Sequence, residues 1–136
     1  MVISDLNVLL QSMQPALHEG VYVYCVVPHG SAMQGLSPVV TVTEAEGLTL
    51  VLPEQQALDA GLAILFRAAW ITLTMHSDLQ AIGLTDAFAT ALGEAGISCN
   101  VVAGAYHDHI FVPVEKGESA MDALRALQHE ESRSGM

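Results

Sequence analysis

Histidine, cysteine and aspartate are the side chains here whose spacing could support chemistry. His107 and His109 stand two positions apart, so on one strand their rings would share a face, as two metal ligands do. His76 is the candidate third ligand. Against a metal, no cysteine or carboxylate cluster lies at ligand spacing, and the pair straddles a turn. Surface histidines sensitive to pH, or turn residues tied by hydrogen bonds, are the competing reading. Cys25 and Cys99 sit in Tyr-Val-Tyr-Cys-Val-Val and Ile-Ser-Cys-Asn-Val-Val, apolar strand sequence in which a thiol is a small inert hydrophobe. No nucleophile, base and orienting group fall together, and no glycine-rich phosphate loop is present. The residues therefore predict a protein that is not an enzyme and needs no cofactor.

A different chemistry suits Gly83-Leu84-Thr85, which follows a strand and opens a helix. Unpaired amides at a helix start favour a carboxylate, so this is a candidate ligand contact. Its alternative is an ordinary capped turn. Asp108 lies in a hairpin turn, where aspartate commonly bonds its own backbone.

The elements that would position these residues follow from periodicity. Leu6, Leu9, Leu10, Met13 and Leu17 form a helical stripe over residues 5–17. Strands are predicted over 21–27, 39–42 and 48–52, with a turn at Glu44-Ala45-Glu46-Gly47 and a short helix over 53–60 capped by Gly61. In the second half, a strand over 69–75 leads into the loop His76 to Gly83. A helix from Thr85 shows Phe88, Ala91, Leu92 and Ala95 on one face and ends at Gly96. Strands over 97–103 and 109–112 enclose the turn 104–107, and a last helix follows Ser119. The second half thus reads β-α-β-β-α, most of a ferredoxin-like unit. The first reads as a relative with its first strand missing or reordered.

Composition sets the outer limits. Hydrophobic residues make up 51% of the 136, so a core forms without disulfides or metal. Fifteen acidic residues against four basic ones give a formal charge of −11, which argues against nucleic acid and anionic membranes. No apolar run spans a bilayer and the N-terminus has no basic region, so a cytoplasmic location is the expectation.

The segments Glu46-Gly47-Leu48-Thr49-Leu50-Val51, Gly83-Leu84-Thr85, Ala95-Gly96-Ile97-Ser98-Cys99-Asn100-Val101-Val102-Ala103-Gly104 and His107-Asp108-His109-Ile110-Phe111-Val112-Pro113 resemble a family of small bacterial ACT-domain proteins. The likeness covers residues 1–128. More distantly, Asp-His-x-x-Val-Pro is similar to the ACT units of cytosolic arginine sensors. The resemblance implies an α+β protein of two ferredoxin-like (ACT-like) βαββα units packed as one body. We place an atypical first unit at 1–66, a second at 67–130 and a frayed tail at 131–136. It implies a regulatory role in which a small molecule, usually an amino acid, binds where units meet. Carried onto this chain, the ligand-binding residues are His76, Ser77, Asp78, Gly83, Leu84, Thr85, Ile97, Ser98 and Asn100. The arginine-sensor likeness adds Asp108 as a carboxylate for a cationic group. Asp108 is expected at the far end of its sheet from the 76–84 loop, meeting it only across an interface. A homodimer or higher even oligomer through sheet edges or helix faces is expected, with a regulated partner protein. The alternatives are a structural interaction module, its inter-unit cleft filled by Trp70, Phe88 and Phe111, and a histidine-centred metal protein or enzyme.

Overall fold

The computed structural model describes residues 12–74 and 84–134. One seven-stranded antiparallel sheet carries all the described strands. They are β1 (Gln14–Leu17), β2 (Tyr22–Val27), β3 (Val40–Glu44), β4 (Gly47–Pro53), β5 (Phe66–Thr74), β6 (Asn100–Ala103) and β7 (Asp108–Pro113). Among the described residues the helices are α1 (Glu54–Asp59), α2 (Leu84–Glu94) and α3 (Gly117–Ser134), the last preceded by a 3-10 turn at Val114–Lys116, besides a helical end at Ser12.

The strand order is β3-β4-β2-β5-β7-β6, with β1 also on β5. Strand β5 is the hinge of the whole arrangement. Along one edge it pairs first with β2 (Phe66 with Tyr24, Ala68 with Tyr22) and then with β1 (Ile71 with Leu17, Thr74 with Gln14). Its other edge pairs with β7, from Ala68 with Pro113 to Leu73 with Asp108. Two ferredoxin-like units emerge. The first is β2, β3, β4, α1 and the start of β5; the second is β5, α2, β6, β7 and α3, completed by β1 from the other end of the chain. In the first unit, a loop of turns over 28–39 stands between the first two strands where the second unit has a helix.

The helical stripe expected over 5–17 does not reach its end. Gln14–Leu17 is a strand, because Pro15 has no amide for a helical ladder and disfavours helix at Gln14. Met13 and Leu17 still join the core, but from coil and strand. Residues 5–11 lie outside the described residues. The expected strand over 97–103 also starts later, at Asn100. Helix α2 closes with Gly96 at φ 77° and the Ile97 amide donating to the Leu92 carbonyl at 2.9 Å, a glycine C-cap that spends Ile97 on the helix end.

Period-two alternation sorts side chains between two unlike faces. Val23, Cys25 and Val27 of β2 point with Leu50 and Leu52 of β4 toward Ala57 of α1. Ala69, Ile71 and Leu73 of β5 pack with Ile110 and Val112 under Phe88, Leu92, Met121 and Leu124 of α2 and α3. All described helices thus cover one face. The opposite face carries Tyr22, Tyr24, Val40, Val51, Phe66, Trp70, Val102 and Phe111. The hairpin between β3 and β4 turns as expected, and Gly47 is required there: a Cβ would sit 2.8 Å from the Val27 carbonyl oxygen.

Candidate functional site

Where β1 passes to β2 the chain leaves β5 for a few residues. The His18 amide still donates to the Trp70 carbonyl at 2.9 Å, and Gly20, at φ 89°, turns the chain back into β2. On the neighbouring side, Pro113 ends β7 and the 3-10 turn leads into α3. Gly117 lets that helix start settle on the sheet, since a Cβ would lie 3.1 Å from Ala69 Cβ and 3.5 Å from a Leu17 methyl. Between bend and helix start lies a cleft of about 710 Å³. Leu17, Ala69 and Met121 give it an apolar floor, while Glu19, Glu115, Glu118 and Arg125 stand around it. Three carboxylates and one guanidinium can neutralise an ammonium and a carboxylate on one small molecule.

His18 also belongs to a second cluster. Its ring stacks on Trp70 at 3.5 Å between centroids, and its Nε2 lies 2.7 Å from Thr72 Oγ1. That hydroxyl is 3.1 Å from His109 Nδ1, and Trp70 Nε1 donates to the same Nδ1 at 3.2 Å. Accepting from the indole requires a bare Nδ1, so His109 carries its proton on Nε2 and is neutral. Burial first, then the nearby His109, pushes the His18 pKa below its ordinary value. Burial and then His107 lower that of His109, with Asp108 opposing. Desolvation disfavours the charged form of each histidine in the linked set His18–Thr72–His109–Trp70.

His107 meets His109 edge-on at 6.5 Å. Among the described residues no group of three histidine, cysteine or acidic side chains is placed to hold a metal ion, and His76 lies outside them. Cys25 is fully buried and its thiol pKa is raised by that burial. Cys99 is half-buried, its thiol pushed up to about 11 by the same cause.

The sequence-predicted ligand residues fall into two groups. His76, Ser77, Asp78 and Gly83 lie outside the described residues. Leu84 and Thr85 begin α2, Thr85 being exposed. Asp108 opens β7 opposite Leu73 on β5 and Ala103 on β6, almost wholly buried at 9% exposure. This overturns its expected place at the far end of the sheet: β5 and β7 are antiparallel, so the start of β7 abuts the end of β5 from which residues 75–83 depart. Burial raises the Asp108 carboxyl pKa, with His109 opposing. Asn100 pairs with Phe111, which pairs with Trp70, so Ile97, Ser98 and Asn100 lie toward the other end of the unit. Ser98 and Asn100 are exposed, whereas Ile97 is in the core. Trp70 and Phe111 lie on the open face and Phe88 beneath the helices, so the three named as cleft-fillers do not share one space. Sequence reasoning missed His18, Thr72, Arg125, Glu115 and Glu118. Pro15 inside the apolar stripe was the signal that His18 belonged to a strand end.

A doubled ferredoxin-like sheet with its described helices on one face is the architecture that defines the class. The comparisons name it. Residues 2–69 match a family model of the ACT domain, and residues 66–126 match a second ACT-domain model. The chain belongs to the ACT-domain family and carries two such domains in tandem. It is 51% identical to a Vibrio cholerae protein of unknown function, described as a possible transport protein, over 90% of this chain and 95% of that one, with a TM-score of 0.81. It shares its fold with a protein from Agrobacterium tumefaciens, at 16% identity, TM-score 0.66 and coverage of 85% and 89%. The ligand-free regulatory subunit of aspartate kinase from Thermus thermophilus is similar in fold, at 12% identity and TM-score 0.66, over 83% of this chain and 95% of that one. No curated protein matches. No described helix is long and apolar enough to cross a membrane.

Proposed function

We propose that this ACT protein is a non-catalytic cytoplasmic regulator that binds a small amino acid and passes its occupancy to a partner protein or a second copy. The observation that carries the reading is the cleft between the β1–β2 bend and α3, with opposite charges around an apolar floor. A zwitterion fits such a site: Arg125 for the carboxylate, the glutamates for the ammonium, Leu17 and Met121 for an apolar side chain. Its volume lies within the roughly 300–1,000 Å³ usual for small-ligand pockets. The units are read as 1–66 and 67–130; β1 crosses that division, so the cleft is lined from both halves of the sequence, at residues 15–20 and 69–125, on the sheet of the second unit. A thermal-shift screen of amino acids tests this, because ligand at 100 times its Kd adds about 2.7 kcal/mol of stability. Arg125→Gln should then weaken the hit about tenfold or more, the worth of a charge-assisted hydrogen bond. No stabilisation by any amino acid would leave the structural interaction module as the better reading.

A second placement is favoured by Asp108. Its register opposite Leu73 sets a buried carboxyl at the C-terminal end of β5. A cationic amino acid bound there would lose affinity in Asp108→Asn and keep it in Arg125→Gln, the reverse of the cleft site.

A further inference from the structure

We infer that His109 is a proton-operated latch: taking a proton at Nδ1, it lets go of Trp70 and, through Thr72, loosens the β1–β2 bend that His18 holds. The inference does not rest on a ligand, although that bend is one wall of the cleft. The side chains of the latch come from three stretches of chain and lie on the helix-free side of the sheet. His109 stands on β7 opposite Thr72 of β5, Trp70 precedes Thr72 by one alternation on the same strand, and His18 follows β1.

The direction of each hydrogen follows from one donor that cannot be reversed. An indole N–H only donates, so Trp70 Nε1 at 3.2 Å makes His109 Nδ1 the acceptor. Thr72 Oγ1 lies 3.1 Å from the same nitrogen, where two lone pairs would repel, so its hydrogen also points to Nδ1. The oxygen is then left to accept, and His18 Nε2, 2.7 Å away, brings the hydrogen. The two histidines are therefore not equivalent. A proton added to His18 enters at Nδ1 and leaves Nε2–H on Thr72. It also sets an imidazolium on the Trp70 ring at 3.5 Å, a favourable cation–π contact. A proton added to His109 enters at Nδ1 itself and turns hydrogen against hydrogen at both Trp70 and Thr72.

Among the described residues few ionisable groups face the latch. His107 meets His109 edge-on at 6.5 Å, and a charge on one opposes a charge on the other. Asp108 adjoins His109 but turns with Ile110 to the helix side, and Arg67 of β5, bonded to Glu54, points there too. Glu19 follows His18 on the bend, and Tyr22 meets Trp70 edge-on at 5.1 Å. From β6 come Val102 opposite His109 and Ala103 opposite Asp108, neither ionisable. Burial and then His107 disfavour a charged His109 against the pull of Asp108, so the latch is shut at neutral pH and opens on acidification. Its effect falls on the bend. Thr72 must turn its oxygen to His109 and its hydrogen to His18, where it meets Nε2–H. His18 loses that tie, and its stacked ring and its amide bond to the Trp70 carbonyl at 2.9 Å are left to hold the bend.

The test is nuclear magnetic resonance of the full chain between about pH 8 and 5. Trp70 is the sole tryptophan, so one indole N–H signal reports the latch. That signal should move with the midpoint of the His109 ring, below 6.5, while circular dichroism shows the fold retained. Protection of the His18 amide against hydrogen exchange, corrected for the intrinsic rate, should fall about tenfold per pH unit over the same range, as opening linked to one proton requires. His109→Asn offers the indole a side-chain oxygen that does not titrate, and should make both readouts independent of pH. His18→Gln should leave the indole titration in place. Thr72→Val should also leave it, and abolish the pH dependence of the His18 amide. The parent chain alone carries the first two readouts, so a variant that fails to fold does not remove the test. An indole signal that stays still while His109 titrates overturns the inference, as does one that follows His18 instead. So does a His18 amide whose protection is the same at every pH in the parent, or a fold lost at the His109 midpoint.

Discussion

The His18 imidazole lies nearly parallel to the Trp70 indole, 7° apart, while its Nε2 reaches Thr72 on the same strand. One residue at a strand end therefore reads two positions of β5 at once and ties the β1–β2 bend to it. Because the cleft and the open face both include His18, its protonation state bears on each.

Stability should fall as the medium is acidified through the histidine range. In the folded protein His18 and His109 are held below the ordinary 6.5, so the unfolded chain binds more protons there. Their contribution is fully present above about pH 6.5 and is lost as pH falls toward the folded values. Asp108 runs the other way: raised above 3.8, it contributes fully below that pH and loses its contribution as pH rises through its folded value. Melting temperatures from pH 8 to 5 should therefore decline. The decline should be shallower in His109→Gln, and a flat parental profile would rule out the lowered histidine pKa values.

Gly47→Ala should destabilise the fold by about 1–3 kcal/mol, the usual cost of forcing atoms into a packed site. The new methyl would press on the Val27 carbonyl oxygen and on a Val26 methyl, so the hairpin must shift as a whole. Urea unfolding of the variant measures it.

Phe88→Ala should cost about 3–5 kcal/mol. Phe88 is fully buried in the core that α2 shares with β5, β7 and α3, so its removal leaves a cavity there. Chemical denaturation gives the difference, with the slope unchanged if unfolding stays two-state.

Thiol labelling in the native state should be slow and strongly pH-dependent. With Cys99 at about 11, its thiolate is scarce at neutral pH, and each unit of pH should raise the rate about tenfold until the pKa is reached. Cys25 should label only on unfolding. Rapid reaction of either at pH 7 would restore the nucleophile reading.

Much of this fold was legible because the second half obeys local rules. Gly96 and the alternation of 109–112 each give a clear local signal that the described elements follow, whereas Thr85, read as a cap, lies inside a helix that already begins at Leu84. The first half was harder to read because its decisive partners are remote. No neighbour in sequence tells Gln14–Leu17 to become a strand; its partner is Ile71–Thr74. The site was legible only in part for the same reason. Asp108 stood out as an acid at a hairpin, but its nearness to the end of β5 follows from register. Arg125 and Glu118 sit on an amphipathic helix, where charges are ordinary, and only the approach of Gly117 to Ala69 makes them the rim of a cleft.

Strand β5 belongs to both units, and this restricts how a message could cross the molecule. A strand that slipped lengthwise by one residue against β2 would carry the same slip into β7, exchanging buried and open side chains on both sides at once. Sliding is therefore closed to the pair as a means of communication. What remains is flexure: the backbone from Phe66 to Thr74 is a single beam, and a load at the cleft beside Ala69 can be felt in the other unit only as a change in its twist.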